Sequence, residues 1–148
     1  MSENPESPCL LLVELGATVP NWLERKNVAC LEQGSSESHG AFADRASRWL
    51  TEHTVINTVI VALHCNTVHG LEERVRCIGK NVTRTLRKRP RARLLFGAPA
   101  DVPERQRRQI LGLTAELAQP DPDSKSSNAC IVGAHFSANP PSSSKIPL

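Results

Sequence analysis

The sequence predicts a three-layer α/β domain: a mainly parallel five-stranded sheet with helices on both faces, Rossmann-like or flavodoxin-like. Three observations carry this. Short apolar runs alternate along the chain with amphipathic segments of a dozen or more residues, and such a succession joins parallel neighbours through right-handed crossovers. The run at residues 55–65 has no charged residue and is rich in Val and Ile, as a strand buried on both faces is. The segments at 41–53 and 71–88 repeat apolar residues at three- and four-residue spacing, the helical period.

In order, residues 10–15 form a near-continuous apolar run between Pro8 and Gly16, broken only by Glu14, and predict the first strand. Thr18 is placed to cap a short helical turn that uses Pro20 early and turns Trp22 and Leu23 inward. Residues 28–31 are a second, shorter strand, parallel or antiparallel at an edge, and the Gly- and Ser-rich stretch 33–40 is a loop. Phe42, Ala46, Trp49, Leu50 and His53 mark the first long helix, with Asp44 and Arg48 an i,i+4 pair on its other side. Residues 55–65 are the central strand. In the next helix Leu71, Val75, Ile78, Val82 and Leu86 share one narrow stripe, and Pro90 ends it. Residues 93–96 are a strand broken by Gly97, Ala98 and Pro99. Asp101 and Glu104 stand in capping-box relation ahead of a helix that runs to Ala118, with Pro103 in its first turn. After a charged, Pro-containing linker, residues 129–136 are the last strand. One α/β domain over 9–136 follows, flanked by a disordered N-terminus at 1–8 and a disordered Ser- and Pro-rich tail at 137–148.

Composition narrows the functional classes. There is no Tyr, and three Phe and two Trp are the whole aromatic complement, so the core is aliphatic and a base-stacking platform for single strands is unsupported. The first residues lack the positive region of a secretory signal, and no apolar run approaches the roughly 20 residues that span a bilayer, so neither export nor a membrane is expected. Cys9, Cys30, Cys65, Cys77 and Cys130 are odd in number and widely spaced, which fits reduced thiols in a cytoplasmic protein.

In an open α/β sheet, ligands bind beyond the carboxyl ends of the strands. There the sequence offers Thr18, His64, Asn66 and Asp101 as candidate ligand-binding residues. His64 and Cys65, with His69 beyond, look chemical, but adjacent strand residues diverge, and no second pair of ligands stands at zinc-site spacing. No metal and no cofactor is expected: neither phosphate-binding glycine fingerprint is present. The order of elements is similar to that of the universal stress protein family. The glycine-rich ATP signature of that family has no counterpart here, where Ala98, Pro99 and Ala100 follow Gly97.

The strongest anomaly is charge segregation. Residues 74–93 hold nine of the eighteen Lys and Arg residues and none of the fifteen Asp and Glu, which leaves the rest of the chain acidic. Arg76, Lys80, Arg84 and Arg87 fall on the helix face away from the apolar stripe, a candidate surface for an acidic protein or for self-association. Nucleic acid is the weaker partner, because no helix-turn-helix pattern accompanies the cations. The sequence therefore favours a non-catalytic regulatory or protein-interaction domain using a basic helix face. The alternative is a nucleotide-like small-molecule site, or an enzyme, at the strand-end loops.

Overall fold

A computed structural model of the 148-residue chain describes residues 8–17, 28–65, 70–119 and 130–137. The elements are β1 (Cys9–Val13), β2 (Val28–Glu32), α1 (His39–Glu52), β3 (Thr58–Ala62), α2 (Leu71–Leu86), β4 (Ala92–Pro99), α3 (Glu104–Ala118) and β5 (Cys130–Ser137). The strands form one sheet in the order β2-β1-β3-β4-β5, and every neighbouring pair is parallel. The second strand is thus a parallel edge, and the apolar run predicted as central is the middle strand. The turn around Thr18, Pro20, Trp22 and Leu23, the linker beyond Gln119 and the expected termini lie outside the described residues, except for Pro8 and for Ser137, which ends β5.

The register explains the core. Leu10, Val59, Leu94 and Val132 align across the sheet, as do Leu12, Val61, Phe96 and Ala134 one pleat along. These two rows meet Phe42, Ala46 and Leu50 of α1, Val75, Ile78 and Val82 of α2, and Ile110, Leu113 and Leu117 of α3 in the main core. Opposite, Leu11, Val13, Ile60 and Ala62 form a second, smaller core and are all at most 7% exposed. The sheet centre is therefore buried from both sides, as a three-layer α/β fold requires. Toward β5 that second face opens: Arg93, Ile131 and His135 are exposed there.

Local chemistry sets the helix ends. Ser38 caps α1, its hydroxyl accepting from the Ala41 N–H at 3.1 Å, so the helix begins ahead of the apolar pattern that predicted it. The expected capping box at α3 does not form. Pro103 holds the N-cap position without a side-chain bond, which leaves Asp101 two residues ahead of the cap. The central strand is shorter than its apolar run, because residues before it turn, the Ile56 N–H donating to the His53 carbonyl at 3.1 Å.

Helices α2 and α3 approach closely at Gly79, where an added Cβ would press into Leu117, 3.2 Å from its Cγ and nearer still to a methyl. Alanine favours a helix interior over glycine by about 1 kcal/mol. At Gly79 overpacking outweighs that gain, and Gly79→Ala is expected to lower stability by about 1–3 kcal/mol. Gly112 of α3 is exposed with nothing within 4 Å of such a Cβ. Gly112→Ala is expected to raise stability by about 0.5–1 kcal/mol. Urea midpoints of the two variants should move in opposite directions.

Candidate functional site

The strand order reverses between β1 and β3, and the carboxyl ends of those two strands define the switch point where open α/β sheets bind ligands. Glu14 follows β1 directly, its N–H extending the ladder to the Ala62 carbonyl at 3.1 Å. Its side chain is buried and faces Arg74 of α2, equally buried, with Nε donating at 3.0 Å and Nη2 at 3.2 Å. The pair closes on the backbone of His64: the His64 N–H donates to Glu14 Oε1 at 2.8 Å, and Arg74 Nη2 donates to the His64 carbonyl at 2.5 Å. Buried charges need partners of this kind to offset lost hydration.

Gln33, buried past the end of β2, ties in the third loop. Its Oε1 accepts from the Leu15 N–H at 3.1 Å, and its Nε2 donates to the Glu37 carbonyl at 2.9 Å. The His64 ring lies directly over Gly16, which has φ +85°; a Cβ there would come 2.9 Å from His64 Nδ1. The left-handed backbone and the lack of side-chain room both call for glycine. His64 Nδ1 is buried and has no hydrogen-bond partner among the described residues.

Of the predicted ligand residues, His64 stands at the switch point, and Thr18 and Asn66 lie outside the described residues. Asp101 is exposed beyond β4 and shares no hydrogen bond or ion pair with His64. Cys65 packs against the main core. Burial, reinforced by the Glu14 charge, pushes its thiol up from 9.0 to about 11. It is protonated at neutral pH, whereas nucleophilic cysteines need the thiolate. Among the described residues no three His, Cys, Asp or Glu side chains are grouped to hold a metal ion.

The basic segment divides into structural and uncommitted cations. Arg76 bridges α2 to α3, with Nε 2.9 Å and Nη2 3.1 Å from the Glu116 carboxylate, and pairs with Glu72 at 2.8 Å. Arg87 donates to the Leu117 and Gln119 carbonyls, both at 2.7 Å, at the C-terminus of α3. Arg89 does the same for α1, donating to the carbonyls of Leu50, His53 and Ile56. Guanidinium groups at helix C-termini satisfy orphan carbonyls and complement the helix dipole. Lys80 and Arg84, one turn apart on α2, and Lys88 just beyond its end are exposed, and their side chains hold no hydrogen bond or ion pair among the described residues, although the Glu116 carboxyl, held below its ordinary value chiefly by the Arg76 hydrogen bond, is lowered further by the Lys80 charge. Of the four predicted docking residues, the structure leaves Lys80 and Arg84 uncommitted and gives Arg76 and Arg87 partners within the fold.

The sequence reading missed Glu14, Arg74 and Gln33. Arg74 had a signal: it stands three residues after Leu71 and four before Ile78, on the buried stripe. Glu14, inside an apolar strand, was its natural counterpart.

The fold and switch point define a parallel, doubly wound α/β domain of flavodoxin-like strand order. No protein-family model, curated protein or solved structure matches the chain.

Removing one partner of a buried ion pair strands the other. Glu14→Gln or Arg74→Met alone is expected to lower stability by about 3–5 kcal/mol. A double-mutant cycle should give a coupling of about 1–3 kcal/mol between the positions, and additive losses would show the pair to be unimportant. Alkaline pH probes Cys65. A thiol raised in the folded state stabilises fully below its ordinary value, and that contribution is lost as pH rises from 9.0 through about 11. In urea titrations over that window, Cys65→Ala should lose stability less steeply than the parent chain.

Proposed function

We propose that this chain is a non-catalytic interaction domain that docks an acidic segment of a partner protein on the outer face of α2. The single observation carrying this reading is the row Lys80, Arg84 and Lys88: exposed cations left uncommitted where neighbouring arginines are taken up by helix ends and ion pairs. α2 packs between α1 and α3, so the row stands in the middle of the helix layer, where a partner can contact all three helices. Like charges along one helix turn repel mildly, a cost that an anionic partner relieves.

An acidic protein fits better than nucleic acid. Three phosphate contacts would supply only weak, strongly salt-dependent binding, and no aromatic ring stands among the cations to stack on bases. A cytoplasmic setting suits the reading, since all five cysteines are free thiols and no described helix is long and apolar enough to cross a membrane.

A second reading is favoured by one observation, the buried Nδ1 of His64 over Gly16 at the switch point, which has no partner among the described residues. It makes that crevice a site for a nucleotide-like small molecule. Native mass spectra of the protein purified from cells would show the molecule retained, and lost in His64→Ala; a bare chain in both would exclude it.

For the docking reading, the parent chain should be retained on heparin at about 0.1 M salt, where charges are screened over roughly 10 Å. Lys80→Gln/Arg84→Gln/Lys88→Gln should flow through and bind a polyglutamate peptide about tenfold or more weakly. The urea midpoint should hardly change, because Gln is a good helix former. Tighter binding to duplex DNA than to the peptide, or retention undiminished in the triple variant, would overturn the proposal.

A further inference from the structure

At the amino-terminal end of the sheet two loops meet: residues 53–57, which join α1 to β3, and residues 87–91, which join α2 to β4. Arg89 clasps them, donating to the His53 carbonyl at 3.3 Å and to the Ile56 carbonyl at 2.5 Å, and Asn57 Nδ2 donates to the Pro90 carbonyl at 3.3 Å. The Ile56 N–H closes a turn on the His53 carbonyl, and the Ile56 side chain is buried. Val55 stands between these fixed residues and is 74% exposed, more than any other large apolar side chain described. In a loop free to move it could turn inward; here the bonds on either side hold it out.

Lys88 and Arg91 are the chain neighbours of Arg89 and Pro90, the two residues that touch the Val55 loop. Both are exposed, and neither side chain holds a hydrogen bond or ion pair among the described residues. Neither loop contains an acid. Arg91 has φ +57°, and among the described residues it is the one non-glycine with positive φ. That left-handed region is unfavourable for a residue with a Cβ and suits glycine. An arginine kept there accepts backbone strain to display a charge, and strain of this kind gathers at functional sites.

We propose that this end of the sheet anchors the docked partner: the acidic segment that lies on α2 carries an aliphatic residue beside its carboxylates, which packs on Val55 while Lys88 and Arg91 hold the carboxylates. The inference rests on the docking reading above, and Lys88, the last cation of the α2 row, is where the two surfaces join. Carboxylates alone bind exposed cations weakly, because both stay hydrated and salt screens them. An apolar contact beside them supplies affinity that salt does not screen. The combination also selects among anionic partners. A nucleic-acid backbone meets the cations but leaves Val55 facing sugar and phosphate. A bilayer is held by a broad apolar face or by two separate anchors, more than one valine provides. A short peptide that is both acidic and apolar uses every feature of the site.

Two labelled peptides, read by fluorescence anisotropy at about 0.1 M salt, test this: hexaglutamate, and the same peptide with two leucines added at its centre. The leucine peptide is expected to bind the parent chain about tenfold more tightly than hexaglutamate. Val55→Ser should abolish that difference, with hexaglutamate binding and the urea midpoint unchanged, since the side chain is exposed. Arg91→Gly should weaken both peptides yet raise the urea midpoint, because glycine relieves the left-handed backbone. Hexaglutamate bound without any gain from the leucines would overturn this inference and leave the docking reading standing, whereas failure of both peptides to bind would overturn both. A leucine gain that survives Val55→Ser, an Arg91→Gly chain that binds as the parent does or has a lowered midpoint, or tighter binding to duplex DNA or to phosphatidylserine vesicles than to the leucine peptide would each overturn the anchor as well.

Discussion

The contact on which the arrangement of this molecule most depends is the ion pair between Glu14 and Arg74. It costs hydration of two charges, and an apolar pair of similar volume would serve packing as well or better. What an apolar pair could not do is satisfy a backbone. Both polar groups of His64 are taken up, the N–H by the carboxylate and the carbonyl by the guanidinium. The end of β3, the end of β1 and the first turn of α2 are thereby held together, and Gln33 draws in the end of β2. A sheet whose strand order reverses at this place needs its neighbouring ends fixed, and polar side chains do so directionally where aliphatic ones cannot.

Charge segregation in the sequence looks different once the fold is known. A block of cations on an amphipathic helix reads as one surface, yet its members have separate destinations: the core for Arg74, a bridge between helices for Arg76, helix C-termini for Arg87 and Arg89. Arginine suits these tasks because its planar, multi-donor head reaches two or three carbonyls at once. Of the rest of the block, Arg91 and Arg93 stand exposed at the start of β4, and Lys80, Arg84 and Lys88 are a smaller surface than the sequence indicates, and a more sharply defined one.

The fold was legible because its signals are periodic. The stripe of Leu71, Val75, Ile78, Val82 and Leu86 depends on spacing and the run from Val59 to Leu63 on unbroken apolar character, and every one of those side chains is buried. The helix start at Ser38 and the failed box at Asp101 were less legible, since a cap depends on a backbone turn that several nearby residues could supply. The switch-point cluster was hidden for another reason. Glu14 and Arg74 are 60 residues apart in sequence, and their pairing follows from β1 standing next to β3, a fact of strand order that periodicity does not encode. His64 was found as a residue but not in its role, because its backbone, not its ring, carries the contacts that fix the site.

The order β2-β1-β3-β4-β5 also bears on how the chain emerges from the ribosome. The strand made first is flanked on both sides in the finished sheet: β2 joins one edge of it and β3 the other, and β4 and β5 then each join the outer edge of the strand made before them. No strand has to be inserted between two that are already paired. Chains are synthesised more slowly than such segments fold, so the sheet can grow outward in step with translation, each parallel crossover closing onto an edge that is already standing. A topology whose distant pairings make refolding from the full-length chain slow is, in the direction of synthesis, a sequence of local additions.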